Sequence, residues 1–128
     1  MVAGAVLLLA GLVVLTARPP AAVARVVAPS GVRIRVQVLN ATQTRGLARR
    51  ATVFLRDRGF DVVEVATAAQ ARDSTLVIDR SGHPEWAQLV ARALGSTQVV
   101  SRSDSSRYLD VTVLVGGDWT PPSEPFYP

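Results

Sequence analysis

The sequence contains no cysteine and no lysine, and its only histidine is His83. Without cysteine the chain cannot form a disulfide framework, a thiolate nucleophile or a thiolate zinc site. Without lysine it cannot form a Schiff base, and a single histidine leaves few routes to a metal site. Aromatic residues make up 5% of the chain, so bases of nucleic acid would find few rings to stack on. We therefore expect no metal and no cofactor.

Candidates for acid, base or nucleophile are equally scarce. His83 precedes Pro84, where we expect it to cap a helix or face solvent. The chain has no G-x-S-x-G elbow, and a base without an activated nucleophile does not make a triad. Asp73 and Asp79 flank a predicted strand, but nothing pairs them as an acid/base couple. The sequence therefore predicts a protein that is not an enzyme.

Positive charge is concentrated in one part of the chain. The formal net charge is +4, and every basic side chain besides His83 is an arginine. Residues 26–58 contain seven arginines and one aspartate, a net charge of +6, whereas residues 59–128 contain five arginines and nine acids, a net charge of −4. This polarity predicts a basic first strand and helix followed by an acidic remainder.

Residues 1–18 are set apart by a continuous apolar run, Val2–Ala17. As a helix this run spans about 24 Å, somewhat less than the ~30 Å hydrocarbon thickness of a bilayer. We expect a short membrane anchor; the alternatives are the core of a cleaved signal peptide, since a small-x-small site follows, and a buried core helix. Arg18 and Arg25 come just after the run, so the positive-inside rule read literally would leave the domain in the cytoplasm. Residues 19–31 are predicted to be a linker.

Hydrophobic periodicity predicts seven elements between residues 32 and 119. Val32, Ile34, Val36 and Val38 alternate with polar residues, as in a strand with one buried face. The remaining predicted elements are a helix capped by Thr44 and ended by Gly59, a strand over Phe60–Val65 parallel to the first, a strand over Thr75–Asp79, a helix from Pro84 to Gly95 with Trp86 in its buried stripe, an edge strand over Gln98–Ser101, and a last strand over Leu109–Val115. Trp119 is predicted to plug the sheet edge, and residues 120–128 to form a disordered tail.

This order, β-α-β-β-α-β-β, predicts an α/β fold. Two helices on one face of a mixed sheet form a two-layer sandwich, and ferredoxin-like topology with an extra strand is the expected arrangement.

The turn between the first strand and first helix is the candidate binding site. Free N–H groups at a helix start favour anions, and neighbouring arginines would add charge. The candidate residues are Asn40, Thr42, Thr44, Arg45, Gly46, Arg49 and Arg50. The turn lacks the glycines and lysine of a P-loop, so the alternatives remain a purely structural connection and a solvated helix face.

Two stretches carry a family resemblance. VQVLNATQTRGLARRATVFLRDRGFDVVEV resembles the opening of the LytR C-terminal domain, whose members read V-x-V-L-N-G-T, then G-L-A, then a helix ending in G-(F/Y)-x-V. DVTVLVGGDW is similar to that family's final strand, which ends in G-x-D and an aromatic residue. The resemblance covers Val32 to Trp119. Ala41 stands where the family usually has glycine, which restricts that turn to negative φ.

The resemblance implies a bacterial envelope protein, a stand-alone member without the LytR-CpsA-Psr catalytic domain. It implies a binding or scaffolding role outside the cytoplasm, with peptidoglycan, an anionic wall polymer or envelope proteins as partners. Membrane attachment would run through Val2–Ala17, or the protein would be secreted after signal cleavage. The competing interpretation is a basic cytoplasmic nucleic-acid-binding module, which the scarcity of aromatic residues disfavours.

Overall fold

The structure, a computed structural model, describes residues 25–104 and 108–122. The predicted membrane segment Val2–Ala17 and residues 123–128 of the predicted tail lie outside the described residues. Among the helices that the structure does describe, none has the length and apolar character needed to cross a membrane.

The described chain forms five strands and two helices in the predicted order. They are β1 (Arg35–Asn40), α1 (Leu47–Asp57), β2 (Asp61–Thr67), β3 (Leu76–Asp79), α2 (Pro84–Leu94), β4 (Val99–Ser101) and β5 (Val111–Val115). The first strand begins three residues later than the alternation of valines predicts, although Ile34 is fully buried. Burial therefore extends the alternating pattern beyond the residues that pair in the sheet.

The strands form one mixed sheet in the order β2-β1-β5-β3-β4. β1 is parallel to β2 and to β5, β3 is parallel to β4, and β3 is antiparallel to β5. The predicted two-layer α/β sandwich and the edge position of β4 are confirmed. The sheet order refines the ferredoxin-like expectation, because each helix here joins two strands that are direct neighbours instead of enclosing a third. The fold is two β-α-β units with β5 between them.

Both helices pack on the same face of the sheet. Alternate residues of β1 and β5 point to this face, and they join one apolar cluster with the inner sides of α1 and α2. The fully buried members include Ile34, Val36, Val38, Leu55, Val77, Val90, Val111, Val113 and Val115. The residues between them, such as Gln37 and Thr112, point to the opposite face, where the polar groups described below collect.

Both helices end as predicted, but α1 does not begin as predicted. Gly59 and Gly95 have φ values of +87° and +76°, and each helix closes with the paired backbone hydrogen bonds of a Schellman motif. The prediction that Thr44 caps α1 is wrong. Gly46 occupies the cap position with φ +81° and no side-chain cap. Thr44 lies two residues before this position, inside the preceding turn, where its N–H donates to the Thr42 hydroxyl and its carbonyl accepts the Asn40 amide.

The two tryptophans differ in burial. Trp119 is 7% exposed, so its predicted burial is confirmed, but it follows the central strand β5 and meets Phe54 of α1 edge to face, with ring centroids 5.7 Å apart, instead of covering the edge of the sheet. Trp86 is only half-buried, so the prediction that it is a core residue is corrected: it packs against the rim of the core and carries the His83 ring on its face at 3.9 Å. Ala87 and Ala91 fill the inner side of α2 instead.

The closing motif GGDW fastens the end of β5 to the loop before β3. The Asp118 carboxylate accepts hydrogen bonds from the N–H and hydroxyl of Thr75, at 2.9 and 2.8 Å. The Thr75 hydroxyl in turn accepts the N–H of Gly116 at 3.0 Å. A Cβ on Gly116 would lie 2.3 Å from the carbonyl carbon of Ser74, whereas the nearest atom to a Cβ on Gly117 is 3.8 Å away. Only the first glycine is required by close packing.

The two glycines give a matched pair of substitutions. We expect Gly116→Ala to lower the free energy of unfolding by about 3 kcal/mol, because the obstruction is backbone and cannot swing away. Gly117→Ala should change it by less than about 0.5 kcal/mol. Urea unfolding followed by far-UV circular dichroism measures both, and equal effects of the two substitutions would contradict the packing argument.

Candidate functional site

Asn40 is the hub of the turn between β1 and α1. Its Oδ1 accepts hydrogen bonds from the N–H and the hydroxyl of Thr42, at 2.9 and 2.6 Å. Its Nδ2 donates to the carbonyl oxygen of Thr44 at 2.8 Å, and the Thr42 hydroxyl accepts the N–H of Thr44 at 3.1 Å. The structure therefore brings these three predicted site residues together, but their polar groups bind one another and shape the turn.

The backbone of the same turn is held from three sides. The Ala41 N–H donates to Val115 of β5 at 2.9 Å, and its carbonyl accepts the N–H of Arg72 at 2.8 Å. The carbonyl of Asn40 accepts the N–H of Ala68 at 2.9 Å. Ala41 is 2% exposed, so its methyl group fills space beneath the turn. This end of the site is therefore packed, hydrogen-bonded backbone.

The three predicted arginines, in contrast, face solvent. Arg45, Arg49 and Arg50 are exposed, and within residues 25–104 and 108–122 none of their guanidinium groups forms a hydrogen bond or ion pair. They surround the start of α1, whose first turn contains no acidic residue, and Gly46 lies among them with open space on its solvent side. We call Arg45, Arg49 and Arg50 the basic surface.

The other arginines of the basic region have structural partners. Arg56 donates to the carbonyl of Val62 at 2.8 Å, which links α1 to β2. Arg58 lies 3.6 Å above the Phe54 ring and donates to the carbonyl of that residue. Arg33 pairs with Asp61 of β2, and Arg35 pairs with Asp110, which directly precedes β5. The excess charge of residues 26–58 is thus available to a partner mainly at the basic surface.

The positive end of α1 strengthens the basic surface. Helix dipoles place partial positive charge at the N-terminus, where acidic side chains are normally favoured. Arginines at this position repel the dipole and one another, and they raise the local positive potential. An anion bound there would relieve this repulsion, which is a physical reason for the surface to attract one.

The structure shows one important carboxylate whose role the sequence did not reveal. Asp79 is 1% exposed at the end of β3, and its Oδ1 accepts the N–H groups of Ser81, Gly82 and His83 at 3.0–3.1 Å. Its Oδ2 accepts the hydroxyl of Ser101 in β4. Asp79 therefore fixes the entry to α2 and ties β3 to β4. The signal in the sequence was an aspartate at a strand end followed by the turn residues Ser81 and Gly82.

The only histidine has a surface position. His83 precedes α2, is exposed, makes no side-chain cap hydrogen bond, and has its Nδ1 3.6 Å from Glu85. The predicted alternatives were capping and solvent exposure, and the structure places its ring in solvent on the face of Trp86.

Substitution of Asn40 tests whether its amide stabilises the turn. We expect Asn40→Ala to lower the free energy of unfolding by about 2 kcal/mol, because three hydrogen bonds within the turn are lost. Arg45→Gln should leave it within about 0.5 kcal/mol of the original value, since that side chain is exposed. Thermal and urea unfolding measure both. An Asn40→Ala protein as stable as the parent would mean that the amide does not brace the turn.

The chain matches a known protein family over nearly the whole of the described domain. The profile of the family described as "LytR cell envelope-related transcriptional attenuator" matches residues 33–119. Among solved structures, the solution structure of the C-terminal domain of RV0431 is similar, with 27% sequence identity over 84% of this chain and 92% of that chain and a TM-score of 0.45. No curated protein sequence matches the chain significantly. The family match spans both stretches that carried the resemblance, and the protein belongs to the LytR C-terminal domain family, which is related to the cell envelope.

Proposed function

We propose that the protein is a non-enzymatic envelope domain that binds an anionic cell-wall polymer through the basic surface. The observation that supports this most directly is the set of three exposed guanidinium groups, Arg45, Arg49 and Arg50, at the positive end of α1. Family membership supplies the cell-envelope setting.

The chemistry of the basic surface favours a flexible polyanion over a small ligand. The three guanidiniums lie exposed around the start of α1, so contacts would be multiple, exposed and individually weak. A polymer with repeated phosphates or carboxylates compensates by making several such contacts at once. Binding of this kind depends strongly on salt.

A catalytic role at the turn has little support. The Thr42 hydroxyl is held between Asn40 and Thr44, and the Asn40 amide uses both its oxygen and its nitrogen within the turn. Neither group is positioned to activate a nucleophile or to stabilise an anion at a reacting centre. We therefore assign the turn the role of positioning the basic surface and not a role in catalysis.

Paired arginine substitutions test the proposed surface. We expect Arg49→Gln with Arg50→Gln to weaken cosedimentation with sacculi that carry their anionic polymers about tenfold, since each exposed contact contributes on the order of 0.5–1 kcal/mol. Arg92→Gln with Arg102→Gln, which removes the same charge from exposed sites elsewhere, should have little effect. Sacculi from which acid has removed the anionic polymers should bind neither the parent protein nor either double variant.

Two results would contradict the proposal. Equal weakening by both double substitutions would show non-specific charge attraction. Duplex DNA that displaces the protein from sacculi, and that binds with a steeper salt dependence, would favour a nucleic-acid-binding module.

Location is a separate prediction. We expect the domain to lie outside the cytoplasm, attached through Val2–Ala17, so a C-terminal alkaline phosphatase fusion should be active and remain in the membrane fraction. If the active fusion protein is found in the medium and mass spectrometry shows that its N-terminus has been shortened, the protein is secreted after signal cleavage. If the alkaline phosphatase fusion is inactive and a C-terminal fusion to a reporter that works only in the cytoplasm is active, the envelope role is refuted.

A further inference from the structure

The face of the sheet opposite the helices carries a cavity of about 240 Å³. One row across this face consists of Arg35, Asp110 and Arg80. Arg35 and Asp110 directly precede Val36 and Val111, which pair with each other. Arg80 directly follows Asp79, which pairs with Val111 on its other side. All three line the cavity, together with Ser81, Asp104, Tyr108 and Leu109. The row lies at the start of β1, at the opposite end of that strand from the turn at Asn40.

A chain of hydrogen bonds crosses the same face and fixes one of the arginines. The Nε of Arg80 donates to the Thr112 hydroxyl at 3.1 Å. That hydroxyl donates in turn to Oε1 of Gln37 at 2.9 Å. The Gln37 amide then donates to Glu64 at 2.7 Å. Thr112 is fully buried and Gln37 is 5% exposed, so the chain holds Arg80 from beneath.

The second arginine is anchored in the same way. The Nε of Arg35 lies 3.4 Å from Oδ2 of Asp110, a carboxylate that also accepts the backbone N–H of Arg35 at 2.8 Å. Each of the two arginines therefore donates its Nε–H to a side chain of the protein. Across the part of the chain that the structure describes, no hydrogen bond engages the terminal nitrogens of Arg35 or Arg80. Two arginines held at Nε line one cavity together with Asp104 and Asp110, and their terminal nitrogens are the groups that a carboxylate or phosphate of a ligand would contact.

An aromatic ring borders these arginines without a packing role. Tyr108 is 82% exposed, and the guanidinium carbon of Arg35 lies 6.0 Å from its ring centre. An exposed tyrosine beside polar groups offers an apolar face and a hydroxyl to a ligand that has both characters. A sugar ring, with its C–H face and hydroxyl rim, is such a ligand.

We propose that this cavity binds an anionic saccharide unit, with the acidic group between Arg35 and Arg80 and the sugar ring on Tyr108. The proposal rests on the proposed function in taking a wall polymer as the natural source of that unit. It places the recognition of the sugar on the open sheet face, whereas the basic surface attracts the polymer chain without distinguishing its units.

Amide chemical-shift mapping on the full-length protein in detergent micelles tests the site without any substitution. The probes are trigalacturonate, glucose 6-phosphate, maltotriose and inorganic phosphate. We expect trigalacturonate, glucose 6-phosphate or both to shift the amides of Ser81, Tyr108 and Asp110, and the response identifies carboxylate or phosphate as the acidic group. Maltotriose and inorganic phosphate should bind at least about tenfold more weakly, because each lacks one half of the recognition.

Substitutions then assign the contacts. Arg80→Gln should weaken binding of the responding probe about tenfold, and Tyr108→Ala about threefold. Arg92→Gln, which removes the same charge from an exposed site outside both proposed regions, should not change it. Tyr108 is exposed enough for its removal to leave the fold intact, and the amide spectrum of each protein checks this.

The outcomes separate this site from the basic surface. Shifts confined to residues 45–50, no response to either acidic saccharide, or inorganic phosphate that binds as tightly as glucose 6-phosphate would overturn the cavity assignment, although sacculi could still bind through the basic surface. Saccharide binding at Tyr108 in a protein whose binding to sacculi is unaffected by loss of Arg49 and Arg50 would support the cavity and refute the basic surface.

Discussion

The position of β5 in the centre of the sheet is the constraint on which the rest of the structure depends. β1 pairs with β2 and β3 with β4, but among the described strands only β5 pairs with both halves. The last strand in sequence must therefore insert between two units formed earlier, so its contacts span most of the domain and their closure is entropically costly. The hydrogen bonds of Asp118 and Gly116 to Thr75 secure that insertion at its end, where Trp119 also packs onto Phe54.

The same strand positions both proposed binding regions. Val115 accepts the N–H of Ala41 and so holds the turn from which α1 and the basic surface project. Asp110 and Thr112 anchor the two arginines of the cavity on the other face. The two regions lie at opposite ends of β1, about 17 Å apart for a six-residue strand. This exceeds the Debye length of about 8 Å at physiological ionic strength, so each should act through its own local field.

Local chemistry determined which features could be predicted from the sequence. The glycine ends of both helices, the proline start of α2 and the alternation in β1 each depend on a few neighbouring residues, and the structure contains all of them. Thr44 failed as a cap because Asn40 and Thr42 had already engaged the turn, a competition among near neighbours with similar propensities. The sheet order, the burial of Asp79 and the chain from Arg80 to Glu64 depend on residues brought together from distant positions, and no periodicity encodes them.

The residues that mark the family in this sequence are chiefly structural. Asn40 shapes the turn, Gly59 ends α1, Gly116 is required by the Ser74 carbonyl, and Asp118 binds Thr75. Because these groups are satisfied within the protein, they specify the fold and leave the ligand undetermined. Recognition must then come from side chains that the fold exposes and does not need, and those are the arginines around the start of α1 and the arginine pair with Tyr108 on the open sheet face. A shared signature can thus identify the scaffold while members with different exposed residues bind different partners.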